Sequence, residues 1–160
     1  SFLGAGRQDH YTERNITEVA SAIEKLQQHF HPQKIIVVGH SGGAATTAIM
    51  LGLRPKLIDG AVLVACPCDL IAWRAGRRPW SASENPIKWV PHIDPKTKVI
   101  ALTGEQDDNT SPKLAQDFIA ALVALKINSE FRALPNETHN SAFRSPEVFS
   151  AVRRLIGSTP

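Results

Sequence analysis

The run Gly39-His40-Ser41-Gly42-Gly43 sets a serine midway between two glycines, in the pattern G-x-S-x-G. A serine hydroxyl attacks a carbonyl only when a nearby base takes its proton and a carboxylate holds that base in the right tautomer. Both residue types follow downstream, in that order. Asp107 and Asp108 lie in Gly104-Glu105-Gln106-Asp107-Asp108-Asn109, and His139 lies in Pro135-Asn136-Glu137-Thr138-His139-Asn140. Ser41, one of Asp107 or Asp108, and His139 are thus candidates for nucleophile, acid and base. Three fixed residues in a pentapeptide are weak by themselves; the surrounding elements decide.

Those elements fit. Asn15-Ile16-Thr17-Glu18 has capping-box spacing, and Val19, Ile23, Leu26 and Phe30 then recur at helical intervals up to His31-Pro32. The uninterrupted apolar run 35–39 predicts a strand buried on both faces. It enters the pentapeptide, and a small-residue stretch at 44–53, read as a helix, leaves it. Further strands are expected at 60–66, 98–103 and 129–134, the last alternating charged and apolar residues as near a sheet edge. Ser111-Pro112 opens a helix with Leu114, Phe118, Leu122 and Leu125 on its inner face; Ser145-Pro146 opens another carrying Phe149, Val152 and Ile156. Strands alternating with helices imply an α/β fold, a mainly parallel sheet with helices on both faces. The stretch 67–94, with Trp73, Trp80, Trp89 and several prolines, breaks the rhythm and reads as an irregular excursion over the sheet.

In this setting the pentapeptide has a steric meaning. A serine at a sharp strand-to-helix turn is held in a strained conformation that projects its oxygen above the sheet. Gly39 and Gly43 are expected to avoid collisions there, and Ala44 and Ala45 to allow close packing. The Gly42 amide, heading the helix, can face a developing oxyanion with the helix dipole behind it. The acid and the histidine each leave a later strand at the same rim.

The three loops together resemble the C-terminal part of an α/β-hydrolase. The acid loop Gly104-Glu105-Gln106-Asp107-Asp108-Asn109 is similar to that of the prolyl-oligopeptidase and dienelactone-hydrolase branches. In those loops the first aspartate of the pair usually serves the histidine, which favours Asp107 with Asp108 as the alternative. The resemblance implies a serine hydrolase acting on a small-molecule ester or a peptide-like substrate, with no metal or organic cofactor. A prolyl-oligopeptidase-like peptidase and a non-catalytic ligand-binding homologue are the alternatives. Only about a dozen residues precede the first helix, too few for a strand-helix-strand unit. Ser1-Phe2-Leu3-Gly4-Ala5-Gly6 resembles the loop after a family strand. The resemblance therefore implies a single catalytic domain, 1–160, that is a partial fold lacking N-terminal strands. The bare edge of the nucleophile strand is then expected to self-associate or to pair with a missing N-terminal segment.

Composition narrows the remaining classes. The chain has 160 residues, 42% of them hydrophobic, and a formal net charge of +3. No apolar run is long enough to span a bilayer. Basic residues are scattered apart from Arg74, Arg77 and Arg78, and the mix of Trp73-Arg74 with Arg77-Arg78-Pro79-Trp80 is too short for a nucleic-acid module. That stretch is read as a lid or pocket wall, or equally as a plain surface excursion. Cys66 and Cys68 are read as free thiols, since two cysteines so close in a strand do not easily reach disulfide geometry; both lie on the site side of the sheet. His40 is expected to be structural, its side chain turned from the substrate. His29 and His31 are read as helix-end residues, Asp9-His10 as surface loop, and Asn140 as a turn residue beside the base. The compartment stays open.

Overall fold

The structure is a computed structural model, described here for residues 10–75 and 83–157. Four strands, β1 (Ile36–His40), β2 (Gly60–Val64), β3 (Lys98–Gly104) and β4 (Ser129–Leu134), form one parallel sheet in the order β1-β2-β3-β4. Every β2 residue is buried, and side chains alternate between the two faces of the sheet with the period of two that a strand imposes. Ala61 and Leu63 face a core shared with α1 (Glu13–Phe30), α2 (Gly42–Leu53) and α5 (Pro112–Ala124). Val62 and Val64, with Ile100 and Leu102, face Val148, Ala151 and Leu155 of α6 (Pro146–Gly157) on the other side. Helices therefore cover both faces, as expected.

β1 departs from the expectation of burial on both faces. It stands at the end of the sheet, with β2 as its one neighbour among the described residues, and Val38 is 38% exposed. Its ladder with β2 uses alternate residues: Ile35 accepts from Gly60 and Ser41 donates to Val64. The backbone groups of Ile36, Val38 and His40 consequently point along the sheet away from β2.

Side-chain oxygens cap the starts of α1, α5 and α6. Thr12, not Asn15, caps α1 by accepting from the Asn15 amide. Ser111 caps α5 through the Lys113 amide, and Ser145 accepts from the Glu147 amide at the start of α6. The inner faces differ in rotation from the sequence reading. α5 buries Ala115, Phe118, Ile119 and Leu122, while Leu125 is its half-exposed C-cap. α6 buries Val148, Ala151 and Leu155, one position before the expected set, and leaves Phe149 at 72% exposure. Both α6 sets have helical spacing, and Ala151 at the centre of the buried one allows closer approach to the sheet. On α1, Ile16 and Ala20 are buried, while Leu26 and Phe30 are uncovered by the described residues.

The excursion after β2 contains two short helices, α3 (Leu70–Arg74) and α4 (Pro86–Trp89). A clasp closes its neck: the Asn85 amide donates to Asp69 at 2.9 Å, and Asn85 Oδ1 accepts from the Leu70 amide at 2.8 Å. Asp69 also caps α3. Arg77, Arg78, Pro79 and Trp80, like Ser1–Gly6 and Asp9, lie outside the described residues. Cys66 and Cys68 correct the sequence reading, because they are joined in a disulfide. The premise of an extended strand fails at Ala65, where φ is 49° and β2 has ended. The turn brings the two Cα atoms to 5.1 Å, against about 6.6 Å for alternate residues of a strand.

Candidate active site

The turn between β1 and α2 is built around one backbone outlier. Ser41 has φ 52° and ψ −118°, a region costly for a residue with a Cβ. Hydrogen bonds on both sides hold it there. Its amide donates to Val64 in β2, and its carbonyl accepts from Ala44 and Ala45 in the first turn of α2. Gly39 is required by contact, since a Cβ at that position would lie 2.5 Å from the carbonyl oxygen of Gly43. Gly43 itself has open space where a Cβ would be, so the expected collision does not exist there. The Gly42 amide heads α2 and has no backbone acceptor among the described residues, as the first amides of a helix generally lack one.

β3 and β4 deliver the other two groups to the same rim. The loop after β3 folds on itself: Asp107 Oδ1 accepts from the amides of Asn109 (2.9 Å) and Thr110 (2.7 Å). This leaves Oδ2 for His139 Nδ1, 2.9 Å away. His139 Nε2 lies 3.0 Å from Ser41 Oγ, across 98 positions of sequence. The Asp107 side chain is fully buried and that of His139 is 14% exposed. Asp108 is exposed and takes no part in these bonds. An imidazole between a buried carboxylate and a hydroxyl can accept the hydroxyl proton at Nε2 while the carboxylate holds Nδ1–H.

Several supporting residues were not anticipated. Gly104 ends β3 where a side chain would run into the carbonyl of Glu137, so the acid and base loops can lie side by side. Glu105 and Gln106 then donate to Leu134 and Glu137. The base loop is closed by Thr138 and Ser141, the Thr138 amide donating to Ser141 Oγ at 2.8 Å; Asn140 is an exposed turn residue. Asn109 Nδ2 sits 3.4 Å from His139 Nε2. Trp73 in α3 donates its indole N–H to the Asn109 carbonyl, which engages the indole within the protein. Only a residue's position in the fold could have exposed these contacts; none has a local sequence signal. His31 caps α1 with φ 47°, and His29 lies in its last turn. Among the described residues no group of three or more His, Cys, Asp or Glu side chains is placed to hold a metal ion. No described helix is long and apolar enough to cross a membrane.

A parallel sheet flanked by helices on both faces, with a strained serine after one strand facing an acid and a histidine from later strand ends, is an α/β-hydrolase fold. Residues 2–155 match the prolyl oligopeptidase family, and the chain belongs to that family. It is 28% identical over 148 residues to a probable chloroplastic glutamyl endopeptidase of Oryza sativa subsp. japonica, a match covering 85% of this chain and 16% of that protein. Among solved structures it resembles dipeptidyl peptidase 4 of Porphyromonas gingivalis, with a TM-score of 0.74 at 14% identity, covering 94% of this chain and 24% of that one. It also resembles an esterase of Pyrococcus furiosus, with a TM-score of 0.71 at 16% identity, covering 94% of this chain and 64% of that one. The two structural likenesses speak to fold alone.

Proposed function

We propose that this chain carries the catalytic centre of a serine hydrolase that cleaves a carboxylic ester or amide through an acyl-enzyme. Ser41 Oγ is the nucleophile. His139 Nε2 takes its proton during attack and returns it to the leaving group, and Asp107 holds the imidazole tautomer. The Gly42 amide stabilises the oxyanion of the tetrahedral intermediate. Water, deprotonated by His139, then attacks the acyl carbonyl; the bond to Ser41 Oγ breaks, His139 returns the proton to Oγ, and the carboxylic acid leaves. The carrying observation is the continuous line from Asp107 through His139 to Ser41, with contacts of 2.9 and 3.0 Å. A fluorophosphonate probe tests it. The probe should label the chain, and Ser41→Ala should abolish labelling; equal labelling of the two would place the nucleophile elsewhere.

A peptidase reading has its own support in the match to a probable glutamyl endopeptidase. Comparing short aryl esters with aminoacyl and glutamyl amides separates the two readings. Saturable binding of either class without turnover would instead indicate a ligand-binding homologue.

A further inference from the structure

The residue before the nucleophile reaches the loop that carries the base. His40 Nε2–H donates to the backbone carbonyl of His139 at 2.8 Å, across 99 positions of sequence. The His40 ring is also stacked on Phe143, with centroids 5.2 Å apart, and tilted against the His139 ring at 5.0 Å. A closed circuit results. Ser41 is joined by a peptide bond to His40, His40 is hydrogen-bonded to the main chain of His139, and the imidazole of His139 returns to Ser41 Oγ at 3.0 Å. The residues on either side of His139, Thr138 and Asn140, are exposed, so the His40 bond is a direct anchor on the main chain at the base itself.

We propose that His40 is a positioning residue, which sets the distance between nucleophile and base by anchoring the His139 carbonyl through Nε2–H. The proposal rests on the assignment of Ser41 and His139 made above. It requires a donor at the Nε2 position and not merely an aromatic ring. His40→Phe keeps a ring between Phe143 and His139 but has no donor. His40→Gln places an amide N–H near the former Nε2, and His40→Ala removes both.

The experiment measures p-nitrophenyl acetate hydrolysis per fluorophosphonate-titrated site, so that loss of folded protein does not count as loss of rate. For His40→Ala and His40→Phe, kcat is expected to fall about tenfold to hundredfold with KM changed less than about twofold, as misplacement of a catalytic group predicts. His40→Gln is expected to stay within about threefold of the parent. Full activity in His40→Phe, or a loss in His40→Gln equal to that in His40→Ala, overturns the positioning role alone. Absence of Ser41-dependent labelling in the parent chain overturns the nucleophile assignment and this role with it.

Discussion

The indole N–H of Trp73 donates to the carbonyl of Asn109 at 2.9 Å, joining a helix of the excursion to the acid loop 36 residues later. Asn109 in turn gives its amide to Asp107. The excursion thus reaches Asp107 through one intervening residue. Trp73→Phe keeps most of the ring but removes this bond. A partly buried hydrogen bond contributes about 1 kcal/mol, so kcat on an aryl ester is expected to drop about fivefold. An unchanged kcat would show that the acid loop holds its shape unaided.

The two glycines flanking Ser41 should respond oppositely to a methyl group. Gly39→Ala drives a Cβ into the Gly43 carbonyl and is expected to cost about 1–3 kcal/mol. Gly43→Ala meets nothing within 4 Å, and a helical alanine there should leave stability unchanged or raise it by up to about 1 kcal/mol. Urea unfolding of the two variants checks the contrast.

At the far side of the sheet, hydrogen bonding and attraction from Arg154 hold the Glu130 carboxyl below the usual carboxylate range, with Arg132 adding to the effect against some opposing desolvation. A carboxyl with a depressed folded value adds stability above its unfolded value, about 4.3, and loses it as pH falls through the lower folded value. Because the pair is partly exposed, the contribution is discounted to about 0.5–1 kcal/mol. Glu130→Gln should therefore lower stability by that amount at neutral pH, with the difference shrinking below about pH 4 and in 1 M salt. Denaturation midpoints at three pH values provide the measurement.

Reduction should be mild in its effect on the fold. The Cys66–Cys68 bridge closes a loop of very few residues, for which chain entropy gives no more than about 2 kcal/mol. The denatured, unreduced chain should take up no iodoacetamide, and the reduced chain two equivalents. Alkylation without reduction would restore the free-thiol reading.

How much of this was legible in the sequence depends on the range of the interaction. Among the described residues, apolar runs placed β1, β2 and β3, and charged–apolar alternation placed β4, each to within a few residues, because strand patterning is encoded locally. The order of Ser41, Asp107 and His139 was readable because each sits just beyond a strand end, and a parallel sheet brings those ends to one rim. Rotation of α6 by one residue was not readable, since Phe149, Val152 and Ile156 share their spacing with the buried set. The disulfide was missed because the cysteines were read as strand residues, while the turn at Ala65 needs a positive φ that alanine does not advertise. His40, Gly104 and Trp73 act on partners far along the chain, and nothing in their neighbours specifies those partners.

The clasp between Asp69 and Asn85 separates two parts of the molecule in energetic terms. Between the two clasp residues Leu70 is buried and Trp73 is bonded to Asn109; beyond such contacts, doubling the length of a closed loop costs only about 0.6 kcal/mol. A change of length between Asp69 and Asn85 should therefore cost little while the sheet keeps its register, which the strand pairing and not the enclosed chain sets.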